Sequence, residues 1–173
     1  MGFYFDRISG REIKSHTYMI PNRRLTKNFW LHEMLVSQTA ARFGFTEQFD
    51  PSDKVVSSLE LLCVNILQPV RDAIKTPVHV NSGYRCLRTN TSIGGAAKSQ
   101  HLVGQAADIE DFKNGNEFLL RKIVEMKLPF DQIINEFNYQ WVHVSFDPNR
   151  RRKQVLEAVK DKNFRTVYRT IKL

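Results

Sequence analysis

Two imidazoles and one carboxylate stand out by type and spacing. His101 and Asp108 lie seven positions apart within Ser99-Gln100-His101-Leu102-Val103-Gly104-Gln105-Ala106-Ala107-Asp108, and His143 lies in the later run Trp141-Val142-His143-Val144. Two neutral nitrogens and a carboxylate oxygen make the open three-ligand set of a catalytic zinc, with a fourth position left for water. The chemistry such a set offers is metal-assisted hydrolysis of a peptide. Gly104 permits the tight path that would bring His101 and Asp108 round a common point. A His and an Asp at this spacing occur by chance in many chains. The pattern becomes specific once Ser99, Gly104, Ala106 and the W-V-H run are included.

Ligands of this kind must be held by backbone that cannot wander. Leu31, Met34, Leu35 and Ala41 predict a helix over 31–43, stopped by Gly44. Val55, Val56, Leu59, Leu62, Cys63, Ile66, Leu67, Val70 and Ile74 recur at spacings of three and four and predict a core helix over 52–75, which Pro69 kinks or divides. Residues 76–81 read as a strand running into Ser82-Gly83-Tyr84-Arg85. Residues 85–99 read as a loop with one helical turn, long enough to suggest a functional role. A short strand over 106–110, a helix over 116–126 started by Gly115-Asn116, and a hairpin of strands 130–137 and 141–146 follow. His101 then falls at the end of the loop, Asp108 within one strand and His143 within another. His79 sits in alternating apolar company and reads as a packed or surface imidazole. The order of elements predicts an α+β single domain, a small, mostly antiparallel sheet flanked by helices with the zinc site on the sheet. Residues 1–24 read as an irregular basic arm with a small strand at 17–20, residues 25–147 as the main domain, and residues 148–173 as a basic C-terminal helix and tail.

With 173 residues, 42% hydrophobic and 25% charged, the chain is long enough to bury a core and is ordinary for a globular domain. A formal charge of +8 suggests an anionic partner: nucleic acid, a membrane surface or an acidic polymer. The only two cysteines, Cys63 and Cys86, sit among apolar or aromatic neighbours and read as packing, not as a disulfide framework or a structural zinc site. The N-terminus has no basic head followed by an apolar run, so no signal peptide is expected, and the chain is expected to be cytoplasmic as made. No window is apolar enough for membrane insertion. The run Arg150-Arg151-Arg152-Lys153 comes with no nucleic-acid motif, so a specific nucleic-acid partner is not expected. A monomer is expected.

Residues 99–108 and 141–144 resemble the zinc D-alanyl-D-alanine carboxypeptidase family, peptidase family M15. Its hallmark is S-x-H-x-x-G-x-A-x-D followed by a W-x-H-like strand, and Ser99, His101, Gly104, Ala106 and Asp108 fill every defined position. Ser82-Gly83-Tyr84-Arg85 resembles that family's S-G-Y-R segment. The likeness is to short forms found in phage and phage-derived genomes and runs from about Leu25 to Phe146. It implies a D-Ala-D-Ala carboxypeptidase/Hedgehog-like fold, with zinc held by His101, Asp108 and His143. It implies that Arg85 faces the scissile carbonyl or a substrate carboxylate, a task suited to a permanently charged, two-pronged guanidinium; a surface salt bridge is the plainer alternative. It also implies hydrolysis of peptidoglycan stem peptides, of D,D-carboxypeptidase or L,D/endopeptidase type. The protein would then act at the cell wall after release or as part of a phage particle.

The general base is where the chain departs from many relatives, which carry an acidic residue three positions before the last His; here that position is Gln140. The nearest candidate is Glu136, with Asp131 as fallback. Strand parity decides: a two- or four-residue hairpin loop is expected to pair Glu136 with His143 on one face, and a three-residue loop turns Glu136 away. Ser99 either binds substrate or orients the loop, and Trp141 reads as packing beneath the site. The alternative to an enzyme is a non-catalytic zinc-containing wall-binding or phage structural module.

Overall fold

The computed structural model describes residues 23–172 together with a short antiparallel pairing of β1 (Tyr4–Phe5) and β2 (Glu12–Ile13). The strand expected at 17–20 lies outside the described residues. Beyond the arm come α1 (Leu31–Leu35), α2 (Gln38–Phe43), α3 (Asp53–Leu62), a π-helical turn (Cys63–Leu67) and α4 (Gln68–Ile74). They are followed by β3 (His79–Ser82), α5 (Leu87–Ser92), a 3-10 turn (Gln100–Val103), β4 (Ala106–Glu110) and α6 (Asn116–Glu125). Strands β5 (Gln132–Glu136), β6 (Trp141–Ser145), β7 (Gln154–Lys160) and β8 (Thr166–Thr170) close the chain. Strands β3 to β8 form one open sheet in the order β3-β4-β6-β5-β7-β8, antiparallel everywhere except between β5 and β7. This is the α+β architecture expected from the order of elements.

Side chains alternate across a sheet, so each strand divides its residues between two faces. Val80, Ala107, Ile109, Ile133, Val142 and Val144 point one way and pack with Leu59, Leu62, Ile66, Leu119, Leu120 and Ile123 of the helices in a single core. Each large apolar side chain buried there contributes roughly 1.5–3 kcal/mol. Their neighbours Asp108, Ile134, Glu136, Trp141 and His143 are left on the opposite face, where they line a cleft. The hydrophobic pattern that builds the core thereby sets the polar groups on one surface.

Three local departures from the expected elements have clear causes. The helix expected over 31–43 breaks after Leu35, because Ser37 adopts extended backbone and its hydroxyl accepts from the Ala40 N–H at 3.1 Å, opening a new helix. The long helix is not divided at Pro69. The π turn before it lets the Gln68 N–H reach the Cys63 carbonyl five residues back, and it absorbs the donor that Pro69 lacks. The helix expected beyond Pro148 is a β-hairpin. Val155, Leu156, Ala158 and Val159 satisfy a helical and a strand pattern alike. What decides is the edge of β5, whose backbone groups would otherwise be buried without partners; β7 pairs with it in parallel from Gln132↔Gln154 to Glu136↔Ala158.

The basic run at the start of that hairpin is tied down by specific contacts. Arg152 grips the fully buried Asp131 with both prongs (2.9 and 2.6 Å), and Arg150 reaches the same carboxylate at 3.4 Å. The Lys153 ammonium donates to the Lys127 and Leu128 carbonyls, at 3.0 and 2.7 Å. Among the described residues no helix is long and apolar enough to cross a membrane.

Candidate metal centre

His101 sits in the 3-10 turn Gln100–Val103. Ser99 caps that turn, its hydroxyl accepting from the His101 N–H at 3.3 Å, which favours the loop-orienting reading of Ser99. Gly104 ends the turn in the left-handed region at φ 71°, and a Cβ there would lie 2.7 Å from the Val55 carbonyl oxygen. Only glycine meets both demands, so the turn can lie directly on α3. The His101 imidazole is buried and its Nδ1 is 2.6 Å from the Gly83 carbonyl. A carbonyl only accepts, so Nδ1 carries the proton and the Nε2 lone pair faces the site.

Asp108 on β4 and His143 on β6 are directly opposite each other in the antiparallel ladder. His143 Nδ1 lies 2.9 Å from Asp108 Oδ1 and 3.2 Å from His101 Nε2, and the third edge, His101 Nε2 to Asp108 Oδ1, is 3.3 Å. Zinc bonds of about 2.0–2.2 Å at tetrahedral angles set neighbouring ligand atoms about 3.3–3.5 Å apart. The triangle is slightly tighter than that and of the right chemistry, two imidazole nitrogens and a carboxylate oxygen, so the three residues fit a zinc ion. Among the described residues this is the one cluster of His, Cys, Asp or Glu with metal-binding geometry. Burial opposes the charge on Asp108, but the two imidazoles against it, His101 and His143, outweigh burial and hold the carboxyl well below the usual carboxylate range.

The other Asp108 oxygen accepts from the Arg85 guanidinium, whose Nε donates to the Ser82 hydroxyl at 2.8 Å. Arg85 is thus not a surface salt bridge: it is part-buried, orients Asp108 and lines the cleft. The Ser82-Gly83-Tyr84-Arg85 segment is a platform beneath the cluster. Gly83 is pressed so close to Met34 that a Cβ would lie 2.5 Å from the Met34 carbonyl oxygen. Buried Gln48 locks the platform from below, donating to the Leu35 and Tyr84 carbonyls (3.0 and 2.7 Å) and accepting from the Cys86 N–H (2.9 Å). Nothing in the sequence signals Gln48; only the packed chain shows it.

Glu136 ends β5 on the face that carries His143. The loop to β6 has four residues, 137–140, as parity requires, but Glu136 pairs with Trp141 and His143 pairs with Ile134. The expected Glu136–His143 pairing is corrected to a diagonal neighbour on the same face. Glu136 is 8% exposed, no hydrogen bond holds its carboxylate among the described residues, and burial pushes it above the ordinary carboxylate range, partly offset by His143. Asp131 is not brought to the site: its carboxylate is spent on Arg152 and Arg150. Trp141 is half-buried beside the cluster, its ring edge-to-face with Phe137 at 5.7 Å. Exposed His79 stacks near Phe112 on the edge strand, apart from the cluster. Cys63 and Cys86 are free and buried; burial pushes the Cys63 thiol up, and the Cys86 sulfur caps α5 by accepting from the Thr89 N–H at 3.4 Å.

His101, Asp108, His143, Glu136 and Arg85 all line one cleft of about 940 Å³. Its floor continues past them onto β7 and β8, where Leu156, Lys160, Thr166 and Tyr168 also line it. Burial and the nearby Glu136 and Asp108 carboxylates push the Tyr168 phenol up. None of these four was found from sequence, because the segment reads equally well as a helix.

The family model described as Peptidase M15 matches residues 27–145, from the start of the core to the last residue of β6. Over 44 residues the chain is 43% identical to the zinc D-Ala-D-Ala carboxypeptidase of Streptomyces albus G. That stretch is 25% of this chain and 17% of the relative, so the likeness spans under a fifth of the relative's length.

Proposed function

The chain belongs to the peptidase M15 family, and on that premise we propose that it is a zinc peptidase hydrolysing peptide bonds of peptidoglycan stem peptides, as a D,D-carboxypeptidase or an L,D/endopeptidase. The observation that carries the reading is the triangle of His101 Nε2, Asp108 Oδ1 and His143 Nδ1, with edges of 2.9–3.3 Å, on the floor of a cleft that also holds Glu136. These three atoms would hold the zinc. When bound, the ion supplies a Lewis acid that polarises an amide carbonyl and acidifies water. The Gly83 carbonyl and Arg85 keep His101 and Asp108 aimed at that point.

Glu136 takes a proton from the attacking water on its carboxylate and delivers it to the amide nitrogen as the C–N bond breaks, so the amine leaves neutral. Its unpaired, buried carboxylate suits that task, because a raised affinity for protons strengthens a carboxylate base. The Arg85 donors not engaged by Ser82 and Asp108 steady the carbonyl oxygen or a substrate carboxylate. A strongly cationic chain, at +8, is drawn to an anionic wall polymer.

The test is digestion of purified peptidoglycan by wild type, His101→Ala and Glu136→Ala, with fragment masses and the zinc content of each protein read together. Cleavage by wild type alone, with zinc lost in His101→Ala and kept in Glu136→Ala, is expected, and the masses name the bond. Zinc bound to wild type without any cleavage would overturn the peptidase and favour a non-catalytic zinc module.

A further inference from the structure

The cleft is longer than the part built by residues 27–145, and the extra length comes from β7 and β8. Register carries one row of side chains across the sheet, Trp141–Glu136–Ala158–Tyr168, and the next beyond it ends on the pair Lys160–Thr166. Fully buried Ala158 keeps the row low between Glu136 and Tyr168, leaving the floor open.

The cations lining this floor are not equally free. Arg85 is held by Asp108, and Arg150 and Arg152 by Asp131, while Lys98, in the loop before His101, also lines the cleft with no ion pair among the described residues. Lys160 forms no ion pair among the described residues. Its ammonium donates to the Thr166 hydroxyl at 2.9 Å and lies 5.0 Å from the Phe137 ring, which keeps it over the cleft. Beside it, the exposed Tyr168 offers a hydroxyl with no partner among the described residues. An unpaired cation and a free hydroxyl on one wall make a site for a carboxylate.

We propose that the β7–β8 hairpin is a substrate-binding arm, in which Lys160 and Tyr168 take an acidic group of the peptide, a carboxylate about five residues from the bond being cut. Strands lie about 4.8 Å apart and rise about 3.3 Å per residue; Lys160 is two strands from β6 and four residues along β7 from Leu156, which is level with His143, so the two backbones are about 16 Å apart, a distance an extended peptide covers in about five residues. The inference rests on the peptidase reading for the position of the cut bond, and the binding itself is separable from cleavage.

The experiment measures binding of two peptides to the full zinc-loaded chain, one with a free side carboxylate about five residues from the bond being cut and one with that group amidated. Fluorescence polarisation is read together with the mass of the labelled peptide, so that affinity is taken on uncut peptide. Wild type is expected to bind the acid form roughly tenfold more tightly than the amide. Lys160→Gln is expected to bring the ratio close to one, and Tyr168→Phe to lower it several-fold. Lys162→Gln, in the turn of the same hairpin and off the cleft, is expected to leave it unchanged. An unaltered ratio in Lys160→Gln, or no binding of either peptide, would overturn the arm. If discrimination through Lys160 persists while peptidoglycan stays intact, the arm stands and the peptidase reading alone falls.

Discussion

Asp108 and His143 face each other directly across the β4–β6 ladder, with Oδ1 and Nδ1 2.9 Å apart. Two-thirds of the candidate metal centre is therefore one cross-strand pair, and its geometry is as rigid as the central strands that hold it. The third member, His101, comes from a short turn pinned by Gly104 against α3 and by Gly83 at its ring nitrogen.

Zinc binding should register as stability, because the ligand atoms converge only in the folded chain. At a free zinc concentration about a hundredfold above the dissociation constant the gain is about 2.7 kcal/mol. Thermal melts with zinc and with chelator should differ for wild type and coincide for His101→Ala.

Glu136→Gln keeps the size and shape of the side chain and removes the base. A fall in kcat of about 10²–10⁴-fold with little change in KM and full zinc content is expected from steady-state kinetics and metal analysis. Wild-type kcat in this variant would exclude Glu136 as the proton carrier.

Gly83→Ala should weaken the metal centre without touching a ligand. The new Cβ meets the Met34 carbonyl, which must push the Gly83 carbonyl away from His101 Nδ1. Zinc affinity is expected to fall about 10–100-fold in a competition titration with a chromogenic chelator.

The Asp131–Arg152 clamp predicts an acid limit. Burial opposes the charge on Asp131, but hydrogen bonds and charge from Arg152 more than offset it and lower the carboxyl below its usual value. A carboxyl lowered on folding adds stability that is complete above its unfolded value of about 3.9 and is lost as pH falls through the lower folded value. Denaturant melts of wild type should lose stability below about pH 4 more steeply than those of Asp131→Asn. That variant should also be less stable by about 2–4 kcal/mol at neutral pH, since it weakens the grip on two arginines.

The convergence of His101, Asp108 and His143 and the strands that carry two of them were legible because they combine local signals: a glycine-stopped turn, small residues in a central strand, and a W-V-H alternation. The face shared by Glu136 and His143 was also legible, since it follows from loop length and the period of two. The directly opposed partner was not, because register depends on how both strands meet the rest of the sheet. Asp131 looked like a spare base and is the anchor of the last hairpin.

The sequence by itself determined which residues form the core, which atoms could hold a metal, and the order of most elements, because apolar periodicity and glycine placement are written locally along the chain. Only the tertiary structure decided that Arg85 holds Asp108 while lining the cleft, that Gln48 locks the platform beneath, and that residues 154–170 form strands. Residues 154–160 carry both a helical and a strand pattern. The unpaired edge of β5, some twenty residues back in the chain, is what selects the strand and lengthens the cleft.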